Sequence, residues 1–257
     1  MDIYQHYRHD ERLFLDQVFE WIQMVKDSYA FRLTDFLDPR QQEIVTQLAN
    51  YDGEVNAYFH GGLEDAERKR GIIAPTYFEP KRSDYGLAFF ELQYAVKFFT
   101  IEHSQLLGAL MSLGLKREKF GDILINGQAV QFVVVDEIAE YVMLHLDSVG
   151  RAPVTLHKLS KDELIEPDDE WRSYTGTIPA LRLDALLAEI FNISRSKAVT
   201  YIQKALVKIN WKVVEQPSYE CHIFDTISLR GFGRAKLQVL EGQTRKGKWR
   251  IQYSKKL

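Results

Sequence analysis

The sequence predicts an α+β protein built in three parts. Residues 1–52 show helical patterns, residues 53–160 predict elements in the order β-α-β-β-α-β, and residues 179–257 carry an excess of positive charge. At 257 residues the chain is long enough for two or three domains of ordinary size. Hydrophobic residues make up 46% of it and charged residues 27%, which is typical of a globular protein with an adequate core.

The N-terminal region is predicted to contain two helices. Apolar residues recur at helical spacing over residues 10–26, as expected for a packed helix. A second helix is predicted over residues 38–50, where Asp38 is placed to cap and Pro39 takes the first helical position, which tolerates proline. The segment Ala-Asn-Tyr-Asp-Gly-Glu at 49–54 is expected to end this helical region.

The middle domain is predicted over residues 53–160. It should open with a strand, a short charged helix at 63–70 and a second strand. Strand and helix patterns then follow one another at 86–94, 103–114, 121–135, 136–150 and 152–160. The segment 121–135 predicts two strands, because Asn126-Gly127 is a strong hairpin signal. The resulting β-α-β-β-α-β order is that of ferredoxin-like and RNA-recognition-motif folds.

Such a fold does not by itself imply RNA binding. Residues 85–92, Tyr-Gly-Leu-Ala-Phe-Phe-Glu-Leu, partly match the RNA-stacking signature, but they lack its leading basic residue and fall on the first strand instead of the third. We therefore interpret them as core. The loop that enters the hairpin carries Lys116, Arg117 and Lys119, for which a second RNA contact and a solvated loop are both open.

A polar, acidic segment with Pro167, residues 161–178, is predicted to be a linker. The C-terminal domain, 179–257, should hold two helices, at 182–191 and 194–206, followed by a small sheet. Residues 181–257 contain 15 Lys and Arg against 6 Asp and Glu, a net charge of +9, whereas the other 180 residues contain 18 against 30, a net charge of −12. This asymmetry indicates that the last third contacts a polyanion, and a lysine-rich solvated face is the alternative.

The second helix of this domain begins with a pattern suited to phosphate. Ser194 is a good N-cap, and Arg195, Ser196 and Lys197 surround a helix N-terminus whose N–H groups are free to bind an anion. Lys204 should lie on the same exposed face as Lys197, seven residues earlier. On the predicted strand 207–214, Trp211 is open to two interpretations, a stacking face for a base or part of a small core. Candidate RNA-binding residues are Arg182, Ser194, Arg195, Ser196, Lys197, Lys204, Lys208, Asn210, Lys212, Arg230 and Arg234.

The segment "RLDALLAEIFNISRSKAVTYIQKALVKIN", with "DTISLRGFGR" downstream, resembles the S-four domain, an RNA-binding motif named after a ribosomal protein of the small subunit. The resemblance covers about residues 181 to 233. The chain departs from the family pattern at three glycine positions, which are taken here by Ala205, Trp211 and Phe224. The resemblance implies a surface that holds structured RNA, mostly ribosomal or transfer RNA.

A wider resemblance takes in "LGLKREKFGDIL" at 113–124, "NWKVVEQPS" and "RGFGR". With these segments the chain resembles the YlmH family, in which a helical N-terminal region and a recognition-motif-like domain precede an S-four domain. The resemblance implies association with the large ribosomal subunit and its peptidyl-tRNA in quality control of stalled translation. It also implies a gene setting linked to cell division, so an interaction scaffold for division components is an alternative function.

A second alternative is an RNA-modifying enzyme of the pseudouridine-synthase type, whose catalytic aspartate also sits in an Arg-Leu-Asp context. Here Asp184 is placed to open an amphipathic helix, where the helix dipole favours its charge. We therefore predict no catalytic residue, no cofactor and no metal site, since the histidines are scattered, apart from His6 and His9, and no Cys/His spacing suits zinc.

The cellular setting follows from simple features. The single cysteine, Cys221, cannot form an internal disulfide, and the N-terminus lacks the basic start and apolar run of a secretory signal. The sequence also has no apolar run long enough to span a membrane. We therefore expect a cytoplasmic, monomeric protein that does not insert into membranes.

Overall fold

A computed structural model describes residues 7, 11–168, 171–245 and 247–256. The chain divides into two compact units, residues 1–168 and residues 169–257, and each is described separately below. Within the described part of the chain, no helix combines the length and the hydrophobicity needed to cross a membrane. The combination of helices and sheets confirms the α+β class.

The first unit begins with two helices, α1 (Arg12–Ser28) and α2 (Pro39–Asp52), as the sequence predicts. The Asp38 side chain accepts a hydrogen bond from the Gln41 N–H at 2.9 Å, and the Gln41 side chain accepts one from the Asp38 N–H, which forms a capping box. Between and after the helices run β1 (Arg32–Leu37), β2 (Val55–His60) and β3 (Lys69–Pro75). They form a three-stranded antiparallel sheet in the order β1-β3-β2.

This sheet corrects two predictions. The strands β2 and β3, which the sequence assigns to the middle domain, pair with β1 and so belong with the N-terminal helices. The helix predicted at 63–70 is absent: residues 64–68 form turns and bends, and residues 69 and 70 are already part of β3. The physical reason is tertiary hydrogen bonding: the Asp122 carboxylate accepts from the N–H groups of Glu67 and Arg68, which outweighs the local preference for a helix.

The rest of this unit contains the predicted β-α-β-β-α-β order. Its elements are β4 (Leu87–Tyr94), α3 (His103–Ser112), β5 (Phe120–Asn126), β6 (Ala129–Val135), α4 (Ala139–His145), the two-residue β7 (Ser148–Val149) and β8 (Ala152–Leu159). The strands form an antiparallel five-stranded sheet in the order β5-β6-β4-β8-β7, which confirms the ferredoxin-like arrangement. The hairpin closes at the pair Asn126 and Ala129, with Gly127 at φ 57°.

Both faces of this sheet pack in the core. Phe90 and Phe132 lie on the face covered by α3 and α4, whereas Phe89 and Val133 on the opposite face pack with Phe36 of β1. The interpretation of residues 85–92 as core packing is thereby confirmed. In RNA-recognition motifs the open sheet face stacks on bases, and here β1 covers part of that face.

The linker predicted at 161–178 is also corrected. Its first part lies along the five-stranded sheet, where Gln131 donates to the Glu163 carbonyl at 3.1 Å and accepts from the Ile165 N–H at 2.9 Å. Its last part is β9 (Arg172–Ile178), which pairs along its whole length with the last strand of the chain. The residues of β9 are mostly exposed, so they lack the apolar alternation by which a strand is predicted from sequence.

The described residues of the second unit form two helices and a six-stranded sheet. The helices are α5 (Leu183–Ile190) and α6 (Arg195–Gln203). The remaining strands are β10 (Val207–Ile209), β11 (Lys212–Val213), β12 (Thr226–Leu229), β13 (Gly233–Gln243) and β14 (Trp249–Lys256), and the sheet order is β11-β10-β12-β13-β14-β9. Apolar residues of α5 and α6 pack against one face of this sheet and form the core of the unit. The opposite face includes the paired residues Lys208, Ser228 and Arg234.

Candidate RNA-binding surface

The start of α6 has the predicted geometry. Ser194 has an extended backbone, with φ −67° and ψ 148°, and its hydroxyl accepts a hydrogen bond from the Lys197 N–H at 3.3 Å. Its oxygen also lies 3.1 Å from the hydroxyl oxygen of Ser196. Residues 194–197 are exposed, so the positive end of the helix dipole faces solvent beside two cationic side chains.

A buried carboxylate organises the arginines at this helix start. Asp184, on the first turn of α5, accepts hydrogen bonds from Arg182 at 3.1 Å to each oxygen. It also accepts from Arg195 at 3.0 Å, across the 11 residues that separate the two in sequence. The Asp184 side chain is only 4% exposed, whereas those of Arg182 and Arg195 are about half exposed, at 43% and 52%. The carboxylate therefore holds both guanidinium groups at the surface.

The ionisation of Asp184 is set by the same contacts. Burial alone would raise the pKa of this carboxyl group, but the hydrogen bonds and positive charges of Arg182 and Arg195 outweigh burial and lower the pKa below its ordinary value. Asp184 therefore stays charged at neutral pH, and the Arg-Asp-Arg cluster keeps a net positive charge. We call Arg182, Arg195, Ser196 and Lys197 the helix-start group.

A second basic group lies beyond the other end of α6. A depression of about 480 Å³ is lined by Lys208, Arg230 and Arg234, together with residues that include no Asp or Glu: Ala205, Leu206, Ser228, Leu229, Gly231 and Gly233. Strand register explains this convergence, because Lys208 pairs with Ser228 and Ser228 pairs with Arg234. Directly paired residues of antiparallel strands lie on the same face of a sheet. We call this site, with its three cationic residues, the basic depression.

Two predicted RNA contacts, Lys208 and Lys212, lie on two strands joined by a turn and not on one strand as the sequence predicts. Residues 207–214 form a hairpin, in which Asn210 and Trp211 at φ 48° and 64° make a two-residue turn of the type that requires positive φ at both positions. Lys208 pairs with Val213, and Lys212 pairs with the buried Ile209. Lys208 and Lys212 therefore lie on opposite faces of the sheet.

The side-chain amide of Asn210 forms hydrogen bonds within the protein. It donates to the Asp225 carboxylate at 2.8 Å and accepts from the Thr226 N–H at 2.9 Å. These bonds tie the β10–β11 turn to the segment before β12, so the side chain of Asn210 is engaged within the protein. Lys204, by contrast, is exposed just after the last residue of α6.

The loop 116–119 of the first unit is used differently from the prediction. Arg117 donates to the carbonyl of Phe120 at 2.6 Å, and burial lowers its pKa to about 10. Lys119 forms an ion pair with Asp35 at 2.7 Å. Lys116 is 80% exposed, with the Glu118 carboxylate 3.9 Å away. Of the three residues, Lys116 is the one that the structure leaves largely exposed to solvent.

The structure places two further basic residues, which were not predicted from the sequence, on the face of the sheet that carries Lys208 and Arg234. The row of paired residues that starts at Lys208 continues from Arg234 to Lys256, and Lys236 lies on the same face as Arg234 because it is two positions further along β13. The alternation Arg234-Ala235-Lys236 could have predicted this, because residues two apart in a strand lie on the same face. The role of Asp184 had no such signal, because its partner Arg195 comes from another helix.

Three family models match the chain. The model "YlmH, N-terminal" matches residues 10–78, the model "Putative RNA-binding domain in YlmH" matches residues 80–163, and the S4 domain model matches residues 181–227. The last match contains the Asp184 cluster and the start of α6.

A curated protein and a solved structure are similar to this chain. "Ribosome-associated protein quality control protein P2" of Bacillus subtilis is 45% identical over 254 residues, which cover 99% of this chain and 98% of that protein. "Cell division protein ylmH from Streptococcus pneumoniae" is a solved structure with 34% identity and a TM-score of 0.56, and the match covers 64% of this chain and 99% of that chain.

Proposed function

Because this chain belongs to the YlmH family, we propose that it is a non-catalytic RNA-binding protein that associates with the large ribosomal subunit during quality control of stalled translation. Its ligand is structured ribosomal or transfer RNA, bound in the cytoplasm. The observation that carries this proposal is the pair of basic sites, the helix-start group and the basic depression, within residues 181–257, whose net charge is +9.

The two sites suit phosphates at different places on a folded RNA. They lie at opposite ends of α6, whose nine residues span roughly 13 Å at 1.5 Å per residue. Two cationic sites at such a distance contact more than one phosphate group, so they favour an RNA whose backbone has a particular shape. Phosphate contacts fix position and orientation without reading bases, which suits a ligand recognised by its shape.

The relative supports association with the ribosome, whereas the choice of the large subunit follows from what the resemblance to the YlmH family implies. The Bacillus subtilis protein is named for ribosome association and for protein quality control, and it matches this chain over almost the full length of both. The buried Asp184 supports a non-catalytic function for the Arg-Leu-Asp segment, since both of its oxygens accept hydrogen bonds from arginines. The Asp184 side chain is also only 4% exposed, so little of it is accessible to a substrate.

A second RNA contact from the first unit rests on Lys116. Its neighbours Arg117 and Lys119 donate to a main-chain carbonyl and to Asp35, so their donor groups are less available to a ligand. We propose that this contact is weaker than those of the C-terminal unit.

The proposal is tested by sedimentation of lysate through a sucrose gradient. The wild-type chain is compared with the Arg195→Glu, Lys197→Glu variant and with a control variant, Lys97→Glu, Lys158→Glu. The control makes the same change in net charge at two exposed lysines of the first unit. We expect the wild type and the control to travel with the large subunit, and the helix-start variant to stay at the top of the gradient.

The other outcomes identify the alternatives. If all three proteins travel with the large subunit, the helix-start group does not bind the ribosome, and this part of the proposal is wrong. If the wild type stays at the top, the protein does not associate with ribosomes. An interaction scaffold for cell division, which the name of the streptococcal relative favours, then becomes the better hypothesis.

A further inference from the structure

Apart from asparagines, which tolerate this region, three non-glycine residues in the described part of the C-terminal unit have left-handed backbone conformations that favour glycine. They are Ala205 at φ 55°, Trp211 at φ 64° and Phe224 at φ 72°. A residue with a side chain costs about 1–2 kcal/mol in this region, and for a large side chain such a conformation is a true outlier. Strain of this kind persists where the surrounding structure enforces it, and it is concentrated at functional sites.

Burial of the Phe224 side chain does not offset this strain, because most of the residue is exposed. It is the third residue of a turn from His222 to Asp225, which the Asp225 N–H closes by donating to the His222 carbonyl at 3.2 Å. A positive φ at this position is the mark of a type II turn, which normally requires glycine or asparagine. The side chain of Phe224 is nevertheless 70% exposed, and the preceding Ile223 is 40% exposed.

The turn is held rigidly. The Phe224 N–H donates to the Leu237 carbonyl at 2.7 Å, and the buried Asp225 carboxylate accepts from the His222 N–H at 2.8 Å. The same carboxylate accepts from the amide of Asn210, whose turn contains Trp211. The two turns, residues 210–211 and 222–225, therefore adjoin at one end of the sheet. We call them the aromatic turns.

We propose that the aromatic turns bind an unpaired base of the RNA, which stacks on the exposed ring of Phe224. This inference rests on the proposed function and adds a base contact to a surface that otherwise contacts phosphates. Because the backbone of Phe224 is held by hydrogen bonds before binding, only the rotations of its side chain are restricted when a base stacks on the ring.

The size of the patch favours a base over a protein. A stable protein interface buries about 800 Å² on each partner. Phe224 and Ile223 together offer far less apolar area than that, but enough for one base. The local charge favours RNA as well: Lys236 pairs with Thr226, two residues after Phe224, and Lys212 closes the neighbouring turn. The carboxylate of the adjacent residue in sequence, Asp225, is 8% exposed and hydrogen-bonded, so it offers little repulsion.

The test uses the full chain and two short RNAs. One is a stem-loop with a 2-aminopurine among the unpaired nucleotides of its loop, and the other is the same stem as an uninterrupted duplex. We expect wild type to bind the stem-loop more tightly and to quench the fluorescence of the 2-aminopurine by stacking. Phe224→Gly should weaken stem-loop binding about tenfold, abolish the quenching and leave duplex binding unchanged.

Two further measurements separate a contact from a folding defect. Since Phe224→Gly removes strain, its midpoint of thermal unfolding should be no lower than that of wild type, and Phe224→Tyr should keep the quenching. A matched control is Tyr29→Gly, which removes an exposed aromatic residue at φ 56° from the acidic unit and should leave both RNA affinities unchanged.

The outcomes distinguish this inference from the proposed function. If Phe224→Gly keeps full quenching and full stem-loop affinity while Arg195→Glu, Lys197→Glu loses binding to both RNAs, the base contact is wrong and the RNA-binding function stands. If the wild type binds neither RNA, both are overturned.

Discussion

The two compact units use their arginines in opposite ways. In the first unit, Arg70 is 3% exposed and donates to the main-chain carbonyls of Thr34, Tyr85 and Gly86 and to the Glu137 carboxylate. In the second unit, Arg182 and Arg195 share one carboxylate and remain about half exposed. The first arrangement satisfies buried acceptors of the fold, and the second presents positive charge to solvent.

This difference shows why positive charges in a sequence cannot simply be counted as a binding surface. The segment Lys116-Arg117-Glu118-Lys119 looks almost as basic as Ser194-Arg195-Ser196-Lys197. The structure separates them because Arg117 donates to main-chain carbonyls at the start of β5, whereas Arg195 donates to the Asp184 side chain and remains 52% exposed. An unsatisfied buried carbonyl is costly, so it takes the nearest long donor side chain.

The largest expected effect concerns Arg70. Arg70→Ala removes a donor from the buried carbonyls of Thr34 and Tyr85, whereas the Gly86 carbonyl keeps the Asp136 N–H and the Glu137 side chain is 58% exposed. We expect the substitution to lower the free energy of unfolding of the first unit by about 4 kcal/mol. Urea unfolding followed by hydrogen–deuterium exchange measures this change for peptides of each unit. Arg195→Ala serves as the control and should cost the second unit less than about 1 kcal/mol, since its side chain is half exposed.

Equal losses for these two variants would contradict the comparison. They would mean that Arg195 is needed for folding as much as Arg70, and the loss of RNA binding in helix-start variants would then need a structural explanation.

The fold was predictable where the signals are local. The order β-α-β-β-α-β rests on apolar alternation and on the turn at Asn126-Gly127, and the cap at Asp38 rests on adjacent residues. The strands β1 and β9 were missed because they depend on distant partners. Arg32 of β1 pairs with Ile73, and the largely exposed β9 pairs with β14 at the end of the chain. A polar strand that is stabilised by such pairing leaves almost no trace in its own sequence.

The candidate site was predictable to a similar extent. The cap at Ser194 and the exposure of Arg195 and Lys197 follow from adjacent residues, so the start of α6 could be located. The hairpin at residues 207–214 could not, because Trp211 occupies the position where a glycine after Asn210 would have signalled a turn. The clustering of Arg182 and Arg195 around Asp184 depends on how α5 and α6 pack, which no local pattern encodes.

A smaller effect is expected at Asp184. Like the acceptors of Arg70 in the first unit, this buried carboxylate of the second unit accepts hydrogen bonds from arginine. Asp184→Asn removes a buried charge that accepts hydrogen bonds from two arginines, and we expect a loss of about 2 kcal/mol in the free energy of unfolding.

The substitution also makes the unit more positive, so charge alone predicts tighter RNA binding. Because Arg182 and Arg195 lose their common anchor, we expect binding about threefold weaker, measured by fluorescence anisotropy with a stem-loop RNA. Tighter binding would show that the carboxylate only neutralises the arginines.

The stability effect at Asp184 should depend on pH in one direction. The pKa of Asp184 is lowered in the folded protein, so its contribution to stability is fully present above the pKa of the unfolded chain, about 4, and is lost as the pH falls through the folded pKa. The difference in unfolding free energy between wild type and Asp184→Asn should therefore be constant near neutral pH and shrink below about pH 4. A difference that stayed constant to pH 2 would exclude this ionisation as the cause.

The smallest expected effect compares single lysines of the two units. Each lysine that contacts a phosphate releases counterions, so its replacement lowers the slope of log K against log salt concentration by about 0.7–0.9. We expect Lys197→Gln to produce such a change, because Lys197 is exposed at the start of α6. Lys119→Gln should leave the slope unchanged, because Lys119 is paired with Asp35 at 2.7 Å. Anisotropy titrations of a stem-loop RNA over a range of KCl concentrations measure both slopes. Equal decreases for the two variants would mean that Lys119 leaves Asp35 to reach the RNA. The cations of the first unit would then not be reserved for contacts within the fold, and the contrast between the two units would not hold for Lys119.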